Sequence, residues 1–333
     1  MRFLCLPGAF GSAKNFGVQL GPFSKHMEDR GLATFAFTQG EHEVEPPLGW
    51  ENYFGSRPLY RFIDAAKGDA FEAIRRVRHI PRGLSPEATL RLFNSNDNKP
   101  AGFKWQTFRE ALDRLFKTID DDPEIDGLIG YSEGAMMAAS ICAEEDRRWK
   151  ERGVPRRIKF AIFFAGSPPL VSEGDGFVAK LADEHGISIG IPTFHVFGSN
   201  DPLVYSSVAL YNACDQDTAQ LYDHGLGHLV PRDADNVEQL GDTLSDVITK
   251  INKTREAEGR CGGGGGGGNS RKRVSRSSGS SGAETPVSEF TADEYNTSSS
   301  AAASSAGSTA ESDLDSRSSH GVETDGIAKI QVK

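Results

Sequence analysis

The chain has 333 residues, a formal net charge of −10 and 37% hydrophobic residues. The negative charge argues against a general nucleic-acid-binding protein, because contact with phosphates requires a basic face. The N-terminal stretch MRFLCLPGAFGS contains an apolar run that is too short for a signal peptide or a membrane span. We therefore expect a soluble, cytoplasmic protein that binds neither nucleic acid nor membranes.

The composition changes late in the chain. Up to Asn252, apolar stretches, aromatic residues and charges are mixed as in a packed domain. From Lys253 onward, aromatic and large aliphatic residues become rare, and seven consecutive glycines occupy residues 262–268. Such a segment cannot bury enough apolar surface to offset the entropy lost on ordering its backbone. The sequence predicts one domain over residues 1–252 and a disordered Gly/Ser/Ala-rich tail over residues 253–333.

The four cysteines are widely spaced, and no two of them form a CxxC pair. This spacing is typical of the reduced thiols of an intracellular protein and does not indicate a disulfide framework or a zinc site. We expect neither a metal nor a cofactor.

Apolar runs and stretches with helical spacing alternate along the chain. Six runs end in glycine, proline or polar turns and predict buried strands, namely residues 2–8, 33–40, 126–132, 159–169, 192–201 and the less apolar 219–225. Apolar residues three or four apart predict helices over residues 16–31, 105–120 and 236–251. The alanine-rich residues 133–150 predict a further helix. The alternation predicts an α/β fold with a doubly wound, mostly parallel sheet.

One region, residues 40–104, interrupts this alternation. It contains prolines, glycines, aromatic residues and a basic stretch with helical character at 71–83, and no clear strand. A connection of this length inside a domain is usually functional. The region is either a lid over a site or a plain surface insertion.

The sequence Gly130-Tyr131-Ser132-Glu133-Gly134 matches the G-x-S-x-G pattern of a nucleophile elbow. In an elbow, the serine lies on a sharp turn between a strand and a helix, and side chains at the two glycine positions would collide with the neighbouring backbone. The helix that follows directs its first N–H groups toward the site of developing negative charge. The apolar run before Ser132 and the small-residue helix after it support this interpretation over that of an idle serine in a turn.

A serine hydroxyl needs a base to accept its proton, and the base needs an acid to orient it. Asp201 lies in the turn-rich end of the run 192–201, and His228 follows the Gly225-Leu226-Gly227 turn, so both are expected at the same sheet edge as Ser132. His224 is the second candidate base, but it lies at the end of a predicted strand and is expected to be packed there. Three further candidate acids lie in a polar stretch that is more typical of solvated surface: Asp215, Asp217 and Asp223.

The oxyanion of an acyl-transfer reaction needs backbone N–H donors. One is expected from Glu133, whose carboxylate the chemistry does not require. The second is expected from the glycine-rich loop LPGAFGS after the first strand. Ala9 is the preferred donor, and Phe10 is the second choice.

Four motifs together resemble the fungal family of small serine hydrolases, the FSH-type α/β-hydrolases. They are FLCLPGAFGSAKNF, GYSEGAMMAA, GSNDPLV and HGLGHLVPRD, and the resemblance extends from Met1 to about residue 251. It implies an α/β-hydrolase fold and a triad of Ser132, Asp201 and His228. Family members commonly carry His-Gly after the first strand, where this chain has Pro7-Gly8.

The resemblance implies a serine hydrolase that cleaves a carboxylic ester or thioester through an acyl-enzyme on Ser132. The family includes esterases and thioesterases of polyketide gene clusters. The expected substrate is therefore a small-molecule acyl ester or a carrier-protein-bound thioester, with a role in releasing or trimming a polyketide or related secondary metabolite. Two different functions also fit the sequence, namely a non-catalytic α/β-hydrolase-like binding protein and an acyltransferase that uses the same triad.

Overall fold

The computed structural model describes residues 1–46, 48–50, 53–64, 83–95, 105–173 and 176–262. The basic stretch expected to be helical at 71–83 lies almost wholly outside these ranges, and so does the predicted tail beyond residue 262. The elements in chain order are β1 (Arg2–Leu6), α1 (Ala13–Asp29), β2 (Thr34–Phe37), β3 (His42–Val44), β4 (Leu59–Arg61), α2 (Pro86–Ser95), α3 (Trp105–Asp121), β5 (Ile125–Tyr131), α4 (Glu133–Arg152), β6 (Phe160–Phe164), β7 (Leu170–Glu173), β8 (Gly176–Ala179), α5 (Ala182–His185), β9 (Thr193–Phe197), α6 (Val204–Asn212), β10 (Ala219–Asp223) and α7 (Ala234–Gly262).

All the runs that were predicted to be strands enter one six-stranded sheet with the order β10-β9-β6-β5-β1-β2. Every neighbouring pair in this sheet is parallel. In this sheet β2 lies on one side of β1, and β5, the strand that the chain adds next, lies on the other side of β1. The carboxyl ends of β1 and β5 therefore form a topological switch point, which is where open α/β sheets bind ligands.

Helices cover both faces of the sheet, as the apolar, non-alternating strands require. On β1, Leu4 and Leu6 belong to one core cluster, together with buried residues of α3 and α4. Phe3 and Cys5 point to the opposite cluster, together with buried residues of α1 and α7. The doubly wound α/β prediction is confirmed.

Helix α1 shows how local sequence produces these elements. The Ser12 hydroxyl caps the helix by accepting a hydrogen bond from the Asn15 N–H. The apolar residues that predicted the helix are all buried against the sheet: Phe16, Leu20, Phe23 and Met27. One helical stripe of apolar side chains therefore decides which side of α1 faces the core.

The expectation of no strand in residues 40–104 is wrong. Strands β3 and β4 lie in this region and pair antiparallel, with His42 opposite Arg61 and Val44 opposite Leu59. Each has only three residues, which is too few for a two-residue hydrophobic period to be recognised. Strands β7 and β8 form a second antiparallel pair that the sequence did not indicate.

Helix α7 continues to Gly262, so residues 253–262 of the predicted tail are helical. The domain boundary at residue 252 stays a prediction. None of the helices in the described ranges is both long and apolar enough to cross a bilayer.

Candidate active site

Ser132 lies between β5 and α4 with backbone angles φ 53° and ψ −115°. This conformation is strained for a residue with a side chain. A Cβ atom at Gly130 would collide with the backbone of Ala135, and one at Gly134 would collide with the carbonyl group of Leu6. The expected steric reason for both glycines is therefore confirmed, and the tight turn holds the Ser132 side chain at the sheet edge.

The structure brings Ser132, His228 and Asp201 together in a hydrogen-bonded chain. The Ser132 Oγ is 3.0 Å from His228 Nε2, and His228 Nδ1 is 2.7 Å from Asp201 Oδ2. The Asp201 residue is 3% exposed, and its Oδ1 accepts a second hydrogen bond from the Leu203 N–H at 2.8 Å. A buried carboxylate with these partners can hold the imidazole in one orientation and stabilise it when it is protonated.

Polar contacts join the loop after β9, which carries Asp201, to the loop after β10, which carries His228. The Asn200 side-chain amide donates to the Gly225 carbonyl at 2.6 Å. The Asp223 Oδ1 accepts from the N–H of Ser199 at 2.9 Å and from that of Gly225 at 2.8 Å. Asp223, one of the three further candidate acids, therefore connects the two loops and does not contact the imidazole.

His224 and Asp215 have hydrogen-bond partners of their own, separate from the Ser132–His228–Asp201 chain. His224 is buried at the end of β10, and its Nδ1 accepts a hydrogen bond from the Leu226 N–H at 3.2 Å. Burial lowers the pKa of His224, which favours the neutral ring. Asp215 accepts from the N–H of Asp217 at 3.2 Å in a turn. Within the described ranges, no three His, Cys, Asp or Glu side chains come together as a metal site would require.

The residue before Ser132 has a role that the sequence did not indicate. The Tyr131 hydroxyl donates a hydrogen bond of 2.9 Å to the His228 carbonyl. Burial raises the pKa of Tyr131 well above its usual range, so the hydroxyl keeps its proton and acts as a donor. An aromatic residue with a polar tip beside the elbow serine was the only sequence signal for this contact.

The loop after β1 lies against the elbow. A Cβ atom at Gly8 would be 3.2 Å from the Ser132 Cβ. The Gly11 N–H donates to the Gly8 carbonyl at 3.0 Å, which closes a turn around Ala9 and Phe10, and Phe10 has φ 61°. Both residues predicted to supply the second oxyanion donor thus lie in a tight turn next to Ser132.

The Glu133 carboxylate, for which the sequence indicated no role, binds the segment at the end of β4. Its Oε1 accepts hydrogen bonds from the N–H groups of Phe62 at 2.6 Å and Ile63 at 3.3 Å. Its Oε2 accepts from Arg61 Nε at 2.9 Å. An acidic residue directly before the uncharged stretch of residues 134–143 was the signal that could have revealed this contact.

A family model described as "Serine hydrolase (FSH1)" matches residues 1–240 of the chain. The chain belongs to the FSH1 serine hydrolase family. This membership confirms the resemblance seen in the four motifs, and it makes the protein an enzyme of the serine hydrolase class.

Three named relatives each match about 70% of the chain or slightly more. The chain is 33% identical over 255 residues to "Esterase FPY3" of Fusarium mangiferae, covering 75% of this chain and 98% of the relative. It is 28% identical to "Hydrolase phiM" of Talaromyces stipitatus, covering 70% and 82% of the two chains. It is also 28% identical to human "Esterase OVCA2", covering 69% and 89%.

Proposed function

We propose that this serine hydrolase cleaves a carboxylic ester or thioester through an acyl-enzyme on Ser132. The observation that carries the proposal is the hydrogen-bonded chain Ser132–His228–Asp201 on a strained elbow turn. Ser132 Oγ attacks the acyl carbon while His228 Nε2 accepts the hydroxyl proton. The protonated imidazole, held by Asp201, then gives this proton to the leaving alcohol or thiol.

Water completes the reaction. His228 accepts a proton from a water molecule, which attacks the acyl carbon of the acyl-enzyme, and the imidazole returns the proton to Ser132 Oγ as the acid leaves. In both steps the oxyanion receives hydrogen bonds from the backbone N–H of Glu133 and from that of Ala9, with Phe10 as the second candidate donor. These steps use no cofactor.

The finer proposal concerns the substrate, which we take to be a polyketide or related secondary metabolite, as a small ester or a carrier-protein-bound thioester. The fungal relative named as an esterase supports ester cleavage, and the polyketide is what the resemblance of the four motifs implies. A row of aromatic rings beside the site also supports an apolar, ring-containing acyl group, because aromatic faces and edges pair favourably. The ring centroids are 4.8 Å apart for Phe10 and Phe54, 5.1 Å for Phe54 and Tyr53, and 4.8 Å for Tyr53 and Trp50.

The catalytic proposal is tested with a fluorophosphonate probe and a p-nitrophenyl ester. The wild-type protein should be labelled covalently, and Ser132→Ala should lose labelling and about 10⁴-fold or more of kcat. Ser172→Ala, at an exposed serine of β7, is the matched control and should behave as wild type. Undiminished labelling of Ser132→Ala would contradict the proposal, and formation of a new ester with an added alcohol would assign acyl transfer in place of hydrolysis.

The substrate proposal is tested at Tyr53, which is 62% exposed and lies between Phe54 and Trp50 in the aromatic row. For Tyr53→Ala we expect KM for a naphthoyl ester to rise about 3- to 10-fold, because one ring contact is worth about 0.5–1.5 kcal/mol. The KM for an acetyl ester should stay the same. Trp149→Ala, at an exposed aromatic residue near the far end of α4, is the control. Equal changes for both esters would refute a role of the row in acyl selection.

A further inference from the structure

We propose that the Arg61–Glu133 ion pair positions the oxyanion hole, a role that rests on the proposed function. The hole needs N–H groups from two parts of the chain, the first residue of α4 and the loop after β1. The two parts touch where Gly8 approaches the Ser132 side chain. Residues 60–63, at the end of β4, contact both.

On the elbow side, the contact is made through Glu133. Its carboxylate receives a hydrogen bond from Arg61 Nε and two from the backbone of Phe62 and Ile63. The backbone N–H of the same residue is the proposed oxyanion donor. The orientation of that N–H therefore depends on the Glu133 side chain, which three hydrogen bonds hold in place.

On the other side, the contact is made with the loop after β1. The Tyr60 N–H donates to the Gly11 carbonyl at 3.1 Å, which forms an antiparallel bridge between β4 and this loop. The Arg61 guanidinium lies over the Phe10 ring, with its Cζ 5.9 Å from the ring centroid. Arg61 thus contacts both the residue that follows Ser132 and one of the two candidate donors after β1.

The bridging segment is itself held firmly. Phe62 and Ile63 are almost fully buried and belong to the same core cluster as Leu6 of β1 and Ala135 of α4. The core therefore fixes the position of residues 60–63, and the ion pair fixes the position of Glu133 relative to them.

The ion pair is shielded from solvent, since the side chains of Arg61 and Glu133 are 14% and 7% exposed. Water and salt screen a buried pair much less than a surface pair. Removing one partner should leave the N–H groups of the oxyanion hole misplaced by a fraction of an ångström to about 1 Å. Such a displacement lowers the rate of the chemical step more than it weakens substrate binding. The role is that of positioning residues, because neither side chain touches the reacting atoms.

The experiment uses the full-length protein, a p-nitrophenyl ester and a boronic acid, which forms a tetrahedral adduct on an active serine. Arg61→Met removes the guanidinium at similar length, and Arg61→Lys keeps the charge. Glu133→Gln keeps an acceptor for the backbone N–H groups while removing the ion pair. Arg156→Met is the matched control. Arg156 pairs at 3.0 Å with Asp146, a buried residue of α4. Asp146 lies about 20 Å from Glu133 along the helix.

We expect Arg61→Met and Glu133→Gln to lower kcat about 10- to 100-fold, with KM within about 3-fold of wild type. The inhibition constant of the boronic acid should rise in parallel with the loss of kcat, because both report on the tetrahedral state. Arg61→Lys should recover much of the loss. Arg156→Met should keep the wild-type kcat even where its Tm falls as far as that of Arg61→Met.

Three results would overturn the inference. They are an unchanged kcat in both Arg61→Met and Glu133→Gln, a change confined to KM, and an equal loss of kcat in Arg156→Met. The proposed function fails separately, if wild-type protein neither turns over esters nor reacts with the fluorophosphonate probe. Wild-type turnover that depends on Ser132 but not on Arg61 would leave the proposed function standing and refute only the positioning role.

Discussion

Tyr131 and Glu133, the two neighbours of Ser132, each connect the elbow to a distant part of the chain. The Tyr131 hydroxyl reaches the carbonyl of His228, 97 residues further along. The Glu133 carboxylate reaches back to Arg61, 72 residues earlier. The two variable positions of the G-x-S-x-G pattern therefore hold the histidine loop and the β4 segment in place around the serine.

Removal of the Tyr131 hydroxyl removes its hydrogen bond to the His228 carbonyl, so the loop that carries His228 should be positioned less firmly. For Tyr131→Phe we expect kcat to fall about 3- to 10-fold, because one net hydrogen bond is worth about 1 kcal/mol. The Tm should change little, since the ring still packs between Phe16 and His228. Steady-state kinetics on a p-nitrophenyl ester measure this effect.

Tyr222→Phe provides the control for Tyr131→Phe. The Tyr222 hydroxyl donates to the Asn236 side chain on α7, outside the proposed triad. An equal loss of kcat in both variants would contradict a specific role for Tyr131.

At the scale of elements, the loops after β9 and β10 approach so closely at Gly198 that no side chain fits at that position. A Cβ atom at Gly198 would collide with the carbonyl group of Leu226. The contact brings Asp201 and His228 within hydrogen-bond distance although 27 residues separate them. The sequence predicted the order of these loops and their common edge, but the close approach depends on the twist and spacing of two neighbouring strands.

Because His195 on β9 is buried, we expect the folded protein to lose stability at acidic pH. Burial lowers its pKa to about 3, whereas the unfolded chain has the ordinary value of about 6.5. Between these values the unfolded state binds a proton that the folded state does not, so stability falls as pH falls. His195→Gln should remove this contribution. When the pH is lowered from 7.5 to 5, the free energy of unfolding should fall by about 2 kcal/mol less in the variant than in the wild type.

Urea unfolding of the wild type and of His195→Gln at both pH values measures this difference in the free energy of unfolding. His185→Gln, at a half-exposed histidine of α5, is the control and should follow wild type. The same pH dependence in wild type and His195→Gln would show that His195 stays protonated in the folded protein or contributes nothing.

At the scale of the whole molecule, helix α7 closes one face of the sheet. Among the α7 side chains that the structure describes, which reach residue 253, Ile248 is the last that is fully buried, and the partly buried Ile251 packs against the same cluster. Truncation after Asn252 keeps both residues. We therefore expect this variant to have the Tm and kcat of the full-length protein.

Truncation after Asp246 gives the matched contrast, because it removes Ile248 and Ile251 from the core. Loss of one buried isoleucine side chain costs about 2–5 kcal/mol. The shorter variant should therefore unfold at a clearly lower urea concentration or fail to accumulate as soluble protein. Loss of soluble protein already on truncation after Asn252 would contradict the predicted domain boundary.

The sequence by itself determined the parallel sheet and the elbow, because long apolar runs, helical spacing and a glycine-flanked serine are local patterns. It also placed Asp201 and His228 at the edge that holds Ser132, since parallel strands end on one side. Three-residue strands such as β3 and β4 carry no such pattern. Only the tertiary structure decided the contacts of Glu133 and Tyr131. Their partners lie far away along the chain, and the fold alone brings them within hydrogen-bond distance.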